Sequence, residues 1–205
     1  RSDAQVSVLT FTNQIVQPFA IYDFGHINYY NQVTGASIDR DAIENFAIAG
    51  LRFQFDPNFR VDVGYRYNTR EFEDVTITQH DTDFIDVNVF WKPFDNFKMT
   101  GVVERYYDES TTSFGLVDDV ETYGVTFDWD IAPKWRVAGT TFYDREIALG
   151  DDVKYDKITS TLSVTHDVND NLEIFVSTLG KWVDENVSGD TYDRYKVGTG
   201  ARLKY

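Results

Sequence analysis

Apolar side chains recur at every second position on both sides of a tight turn within residues 42–68, and this stretch sets the pattern for the rest of the chain. One run extends from Ile43 to Phe55 and the other from Phe59 to Tyr67, with charged residues or glycine at many positions between. Pro57 suits the turn between them because proline cannot donate to a strand ladder. The pattern predicts a β-hairpin with one apolar and one charged face. Its strands are long enough to cross a bilayer at a tilt.

The same hairpin pattern recurs to the end of the chain and predicts nine strands from residue 42 onward. The first forty residues are less regular, and one to three further strands fit there. Pro18 is expected to interrupt this region, and a bulge at Gly25 would restore the phase of the stretch that follows. Residues 31–41 are expected to form a polar loop.

The predicted connections alternate between short and long. Outer-membrane barrels keep short turns on the periplasmic side and longer loops outside, so we predict that orientation here. The periplasmic turns are expected at 56–58, 94–96, 131–134 and 168–170, and the extracellular loops at 69–80, 108–119, 147–154 and 185–191.

Aromatic residues of the apolar face gather near both ends of the strands, with aliphatic residues and glycine between them. Amphipathic rings settle at headgroup depth, so two aromatic belts around an aliphatic band indicate that this face meets lipid. A soluble barrel or sandwich with the apolar face inside is the alternative. The aromatic residues expected at the lipid interface are Phe55, Phe59, Tyr65, Tyr67, Trp91, Trp129, Trp135, Trp182 and Tyr205.

Composition narrows the function classes. The 205 residues include no cysteine and no apolar run of about 18 residues, which excludes disulfides, thiolate metal sites and a membrane helix. A formal net charge of -15 argues against a nucleic-acid surface. The fold expected for residues 1–205 is therefore an all-β, closed antiparallel transmembrane barrel of about ten strands, or twelve, in a single domain. Residues 1–17 are expected to be a periplasmic extension or an extra strand.

The charged face would point into the barrel, where two interpretations stay open. Opposite charges either pair across a filled interior or line a water-filled lumen whose basic last strand favours anions. The residues expected to line the lumen are Arg52, Arg60, Asp62, Arg66, Glu104, Arg136, Arg194, Lys196, Arg202 and Lys204.

Neither the acidic loops nor the histidines predict a dedicated site. Loop carboxylates could bridge divalent cations to lipopolysaccharide, but no loop has the spacing of a calcium site, so no metal or cofactor is expected. Only His26, His80 and His166 could serve as a catalytic base, and a histidine beside aspartate in an acidic loop is common by chance. The chain is therefore not expected to be an enzyme.

The unit Leu51–Tyr67, with its Phe-Asp-Pro-Asn-Phe turn and Gly-Tyr-Arg-Tyr strand, and the alternating last strand ending in Tyr205 resemble Gram-negative outer-membrane β-barrel proteins. The resemblance covers about residues 42–205 and is greatest to porin-type barrels associated with surface polysaccharide systems. Such barrels are usually larger, so the chain is expected to be either a small relative or part of a longer barrel. The terminal aromatic resembles the signal read by the barrel assembly machinery.

We therefore expect an outer-membrane porin-like protein, a passive channel for small solutes. The alternative is a non-conducting structural barrel that anchors a cell-surface assembly. The expected partners are outer-membrane lipid and lipopolysaccharide, the barrel assembly machinery during biogenesis, and either a second copy or a surface-assembly protein.

Overall fold

The computed structural model describes residues 2–9, 15–27, 41–72, 80–109, 117–149, 153–186 and 191–203. These residues form eleven strands. The strands are β1 (Ser2–Leu9), β2 (Val16–Ile27), β3 (Ala42–Asp56), β4 (Phe59–Phe72), β5 (His80–Phe94), β6 (Phe97–Glu109), β7 (Val117–Ala132), β8 (Trp135–Leu149), β9 (Val153–Asn169), β10 (Leu172–Glu185) and β11 (Thr191–Leu203). In this described part of the chain, no helix has the length and apolar character needed to cross a bilayer.

All eleven strands belong to one antiparallel sheet in which each strand pairs with its neighbour in sequence, from β1 to β11. The nine strands predicted from residue 42 onward are present. Before residue 42 the described chain adds two strands, within the one to three predicted, so the described total is eleven where about ten, or twelve, were expected. Among the described residues, β1 and β11 each have a strand partner on one side only.

Two expectations for the N-terminal region are wrong. Pro18 lies inside β2, opposite Leu51 of β3, and does not interrupt the strand. Gly25 pairs in regular register with Asp3 on one side and Glu44 on the other, so no bulge is needed there. The β-hairpin of β2 and β3 therefore keeps its phase along its full length.

The strands run further toward the long loops than the sequence pattern predicted. β4 continues to Phe72 and β6 to Glu109, so several residues predicted to lie in loops are paired. The connections on this side are 28–41, 73–79, 110–116, 150–152 and 186–190, and 150–152, with three residues, is not the long loop that the pattern predicted there. At these strand ends both faces carry polar residues, so apolar and polar positions no longer alternate. The sequence pattern therefore predicted strands that end too early.

The short turns share one construction. Each is a two-residue turn next to a register shift in the flanking hairpin, at 54/56, 91/94, 130/132 and 172/173. Lys134 in the third turn has φ 71°, a left-handed conformation that L residues adopt uncommonly. A bulge increases the local twist of its strand and can end the regular pairing of the hairpin close to the turn.

Candidate functional site

In a soluble β-protein apolar side chains are mostly buried and charged side chains exposed, whereas many residues of this sheet show the reverse. Among large apolar side chains, Leu51 is 44% exposed and Val125 is also 44% exposed, both on what we call the outer face. On the other, inner face, Asp62 is only 8% exposed and Asp86 only 3%. Charged groups avoid burial unless they are paired, so ion pairs are expected on the inner face, while the exposed apolar side chains suit the outer face to lipid.

The aromatic residues predicted at the lipid interface all lie on the outer face where the structure describes them. The cross-strand pair Phe59 and Trp91 is near the short turns, and Tyr65 and Tyr67 are toward the long loops. Phe55, Trp129, Trp135 and Trp182 share this face. Tyr205 lies outside the described residues.

The residues predicted to line the lumen fall on the inner face, with the exception of Lys204, which lies outside the described residues. The structure brings seven of them, Arg52, Arg60, Asp62, Arg66, Glu104, Arg136 and Arg202, into three separate ion-pair groups. Residues that lie opposite each other on neighbouring strands share a face of the sheet, and this register puts the predicted lumen residues on the inner face. The pairs are Arg52↔Asp62, Glu104↔Thr122, Arg136↔Thr165, Lys181↔Arg194, Leu179↔Lys196 and Glu173↔Arg202.

Asp62 is shared by two arginines. Arg52 donates a bidentate pair of hydrogen bonds to it, from Nε at 2.8 Å and from Nη2 at 2.9 Å. Arg60 Nε lies 3.5 Å from the second carboxylate oxygen. This group, the Asp62 cluster, therefore holds one more cation than anion.

Arg66 is shared by two carboxylates. Its Nη2 lies 2.6 Å from Asp86 Oδ2 and 3.7 Å from Glu104 Oε2, and its guanidinium also lies over the ring of Phe46 at 5.0 Å. The Arg66 cluster therefore holds one more anion than cation.

A third group lies toward the C-terminal strands near the short turns. Glu173 lies 3.1 Å from Arg202 and 3.9 Å from Arg136, and its own side chain is only 4% exposed. The two arginines are 67% and 50% exposed at their side chains. At this end the inner face is therefore open to water.

The inner face is covered at the end nearest the long loops. The pairing of β5 with β6 stops at Val87↔Val103, although β6 stays paired with β7 as far as Glu109. Asn68 Nδ2 of β4 donates to the Arg105 carbonyl of β6 at 3.1 Å, and the Arg70 guanidinium lies 5.7 Å from the Tyr107 ring centroid. Because Asn68 and Arg70 are on the inner face, the upper part of β6 passes over that face and covers part of it.

The sequence pattern did not predict this covered region. Arg70 is 2% exposed and pairs with Glu44 at 2.5 Å, yet the pattern placed it in a loop. Its spacing of four from Arg66 keeps it on the same strand face, and this was the available signal. The inward curl of β6 has no signature in period-two alternation.

At the rim beyond the outer aromatic belt, a small polar group faces outward. The Tyr143 hydroxyl and the Arg145 guanidinium, at 3.2 Å, both donate to Asp156. The hydrogen bond from Tyr143 is the main reason that the pKa of Asp156 lies below its usual range, and Arg145 adds to the effect.

His166, one of the three histidines considered as a catalytic base, is held by packing contacts near a short turn. His166 stacks on Trp135 with a centroid distance of 4.3 Å, and its Nδ1 lies 3.2 Å from the Lys134 carbonyl oxygen, so packing accounts for its position. Within the same described ranges, no group of three or more His, Asp or Glu side chains is arranged to hold a metal ion.

Comparison with known proteins places the chain among outer-membrane proteins. A family model described as Putative beta-barrel porin 2 matches residues 9–205. Among curated proteins, none is similar enough in sequence to count as a match.

Solved structures of the same fold come from Gram-negative outer membranes. The ferric yersiniabactin uptake receptor FyuA from Yersinia pestis has a TM-score of 0.59 at 12% identity, with 97% of this chain and 39% of that chain covered. The outer membrane channel DcaP of Acinetobacter baumannii has a TM-score of 0.54 at 14% identity, with 98% and 62% covered. This chain therefore spans less than two thirds of the length of these structures. At such identities the likeness establishes the fold alone.

Proposed function

This chain belongs to the Putative beta-barrel porin 2 family, and from that premise we propose that it acts as a passive channel for small solutes. Its location is the outer membrane of a Gram-negative bacterium, in agreement with the resemblance found in the sequence. Family membership indicates a porin-like barrel, and we add to it an open, water-filled path along the inner face.

The observation that carries the proposal is the exposure of inner-face charges near the short turns. Arg202, Arg136 and Lys98 have side chains that are 67%, 50% and 60% exposed. A charged face that water reaches is what a solute path needs, and charged side chains are disfavoured on a surface that meets lipid.

A barrel requires closure of the sheet. An open edge in hydrocarbon would leave backbone groups without hydrogen bonds at a cost of several kcal/mol per group, so we infer that the edges of β1 and β11 are paired in the membrane. Because eleven is odd, β1 and β11 run in the same direction. Direct closure would therefore use one parallel pair, and closure through an additional strand would keep the sheet antiparallel.

Charge selectivity of the channel follows from β11. Arg194 and Lys196 are exposed on its inner face, so they should repel cations in a narrow, poorly screened path. Arg202 is less suitable as a probe because Glu173 pairs with it.

The test is single-channel recording in planar bilayers under a salt gradient. The wild type should conduct and prefer anions, and a variant carrying both Arg194→Glu and Lys196→Glu should shift the reversal potential toward cations. Lys154→Glu is the matched control, because Lys154 faces outward at the rim and should not alter selectivity. Silent bilayers from folded, heat-modifiable protein would contradict the channel.

A non-conducting structural barrel is the second candidate, and the covered end of the inner face favours it. Ala42, Val120, Ala148 and Val183 are 0 to 5% exposed and all lie near the long loops. If this layer seals the interior, the protein would serve to anchor a surface assembly, and lipopolysaccharide or a surface protein would be its partner.

A further inference from the structure

The inner face of β10 and β11 carries a concentration of positive charge. Lys181 of β10 lies directly opposite Arg194 of β11, and Lys196 follows two positions later on the same face. Opposed residues of an antiparallel pair have Cβ atoms about 4.5 to 5.5 Å apart, and residues two positions apart on one strand are about 7 Å apart. These three cations, which we call the cation triad, therefore start from one small area of the wall.

The cation triad is not neutralised by carboxylates. Within the described ranges none of its three members forms an ion pair, whereas the neighbouring inner-face Lys157 is paired with Glu146. The carboxylates next along the two strands, Asp184 and Asp193, are on the outer face with Trp182. Like charges directly opposite each other destabilise a sheet, so the triad leaves an excess of positive charge that an anion would offset.

The other neighbours of the triad are uncharged. Lys181 Nζ lies 6.0 Å from the centroid of the Tyr192 ring, a cation–π contact that stabilises the ammonium without cancelling its charge. Thr159 of β9 lies opposite Lys181 on its other side, so its hydroxyl belongs to the same face. Val183, two residues beyond Lys181, is only 5% exposed. The triad therefore lies where the open part of the inner face meets the covered end.

We propose that the cation triad binds the phosphate group of small soluble phosphate monoesters, the solute class that it would select in the proposed channel. A phosphate monoester carries about −1.5 to −2 charges at pH 7 and three strong acceptor oxygens. It therefore offsets more of three adjacent cations than a monocarboxylate does, and it has an acceptor for the guanidinium and for each ammonium. Lipid phosphates share this chemistry but lie against the outer face, so the site is assigned to soluble phosphate. The inference rests on the proposed function only for the route by which the solute reaches the site.

The experiment measures binding to the full chain in detergent micelles by saturation-transfer NMR, with methyl phosphate and acetate as probes. The buffer contains sodium chloride at about 0.15 M, which largely screens exposed charges more than about 8 Å apart. Methyl phosphate should bind at least tenfold more tightly than acetate, and this comparison needs no variant. Equal binding of the two anions would overturn the proposal.

Variants then locate the site. Lys181→Gln and Arg194→Gln should each weaken methyl phosphate binding at least fivefold. Neither change leaves a carboxylate without its cation, and each relieves a pair of opposed like charges, so both variants should stay folded. Lys98→Gln is the control on the inner face, where Lys98 pairs with Asp128. Lys154→Gln is the control at the outward-facing rim, beside the lipid. Both controls should leave binding unchanged.

The two proposals fail separately. Binding in micelles requires no conduction, so conduction without preference for methyl phosphate over acetate would refute the phosphate site and leave the channel. That preference with silent bilayers would refute the channel and retain the site. A loss of binding in Lys98→Gln equal to that in Arg194→Gln would show general charge attraction, and an equal loss in Lys154→Gln would show a site for lipid phosphate at the rim. Either result would refute the site on the inner face.

Discussion

Replacing Arg66 by methionine should test whether the inner face is a set of enclosed ion pairs. Arg66 and Asp86 have side chains that are 13% and 4% exposed, with Nη2 and Oδ2 2.6 Å apart. Arg66→Met would leave Asp86 charged and enclosed beside Glu104 with no cation in contact. Removing one partner of such a pair costs about 3 to 5 kcal/mol, and loss of the guanidinium over Phe46 adds about 0.5 to 1 kcal/mol.

The matched control is Lys98→Met. Lys98 pairs with Asp128 at 3.1 Å on the same face, but the two side chains are 60% and 41% exposed. Water solvates both groups there, so the change should cost only about 0 to 1 kcal/mol. A double variant, Arg66→Met with Asp86→Leu, should recover most of the stability lost in Arg66→Met because it removes the stranded carboxylate.

Urea unfolding in lipid vesicles, followed by the fluorescence of the four tryptophans, gives the free energy of unfolding for each variant. Arg66→Met should lower it by about 3 kcal/mol more than Lys98→Met. Equal losses for the two variants would refute the reasoning, because they would mean that water reaches Asp86 as freely as it reaches Asp128.

Three further predictions address the outer face, the wall and the rim. Val125→Arg should cost about 2 to 4 kcal/mol of stability in vesicles, whereas Thr126→Arg on the inner face should be mild; equal costs would contradict the assigned phase. Gly124→Val should destabilise by about 1 to 3 kcal/mol, because a Cβ there would lie 2.2 Å from Phe142, while Gly101→Ala should be nearly neutral in the same unfolding assay. The pKa of Asp156 is lowered in the folded state, so its ionised form should stabilise the fold above about pH 4 and this stabilisation should be lost as the pH falls further. The free energy of unfolding of Asp156→Asn should therefore be lower than that of the wild type at pH 7 and approach it in acid. A difference that does not change with pH would argue against the hydrogen bond from Tyr143.

Strand alternation and turn chemistry made most of the fold predictable. The nine strands after residue 42 and the assignment of charged residues such as Asp62 to one face follow from period-two spacing alone. At the N-terminus the sequence left one to three strands open, and the interruption expected at Pro18 and the bulge expected at Gly25 were wrong, because a proline is tolerated inside this strand and a glycine does not have to bulge.

The candidate site was predictable only in part. Sequence spacing assigned Arg52, Arg66 and Glu104 to the inner face, but which carboxylate each arginine contacts depends on the register between strands. The inner-face positions of Phe19 and Ile48 were not predicted, because apolar side chains are unexpected on a face that is otherwise polar. The curl of β6 over Arg70 is a tertiary feature that no local pattern specifies.

The central claim is that one face of each strand meets lipid and the other meets water inside the protein, and spin labels on β7 test it most directly. The chain has no cysteine, so single cysteines at each position from 123 to 128 can carry a label in vesicles. Labels at Tyr123, Val125 and Phe127 should collide with oxygen dissolved in the bilayer, and those at Gly124, Thr126 and Asp128 with a water-soluble nickel chelate. The opposite phase, or inner positions reached by neither reagent, would contradict a water-filled barrel.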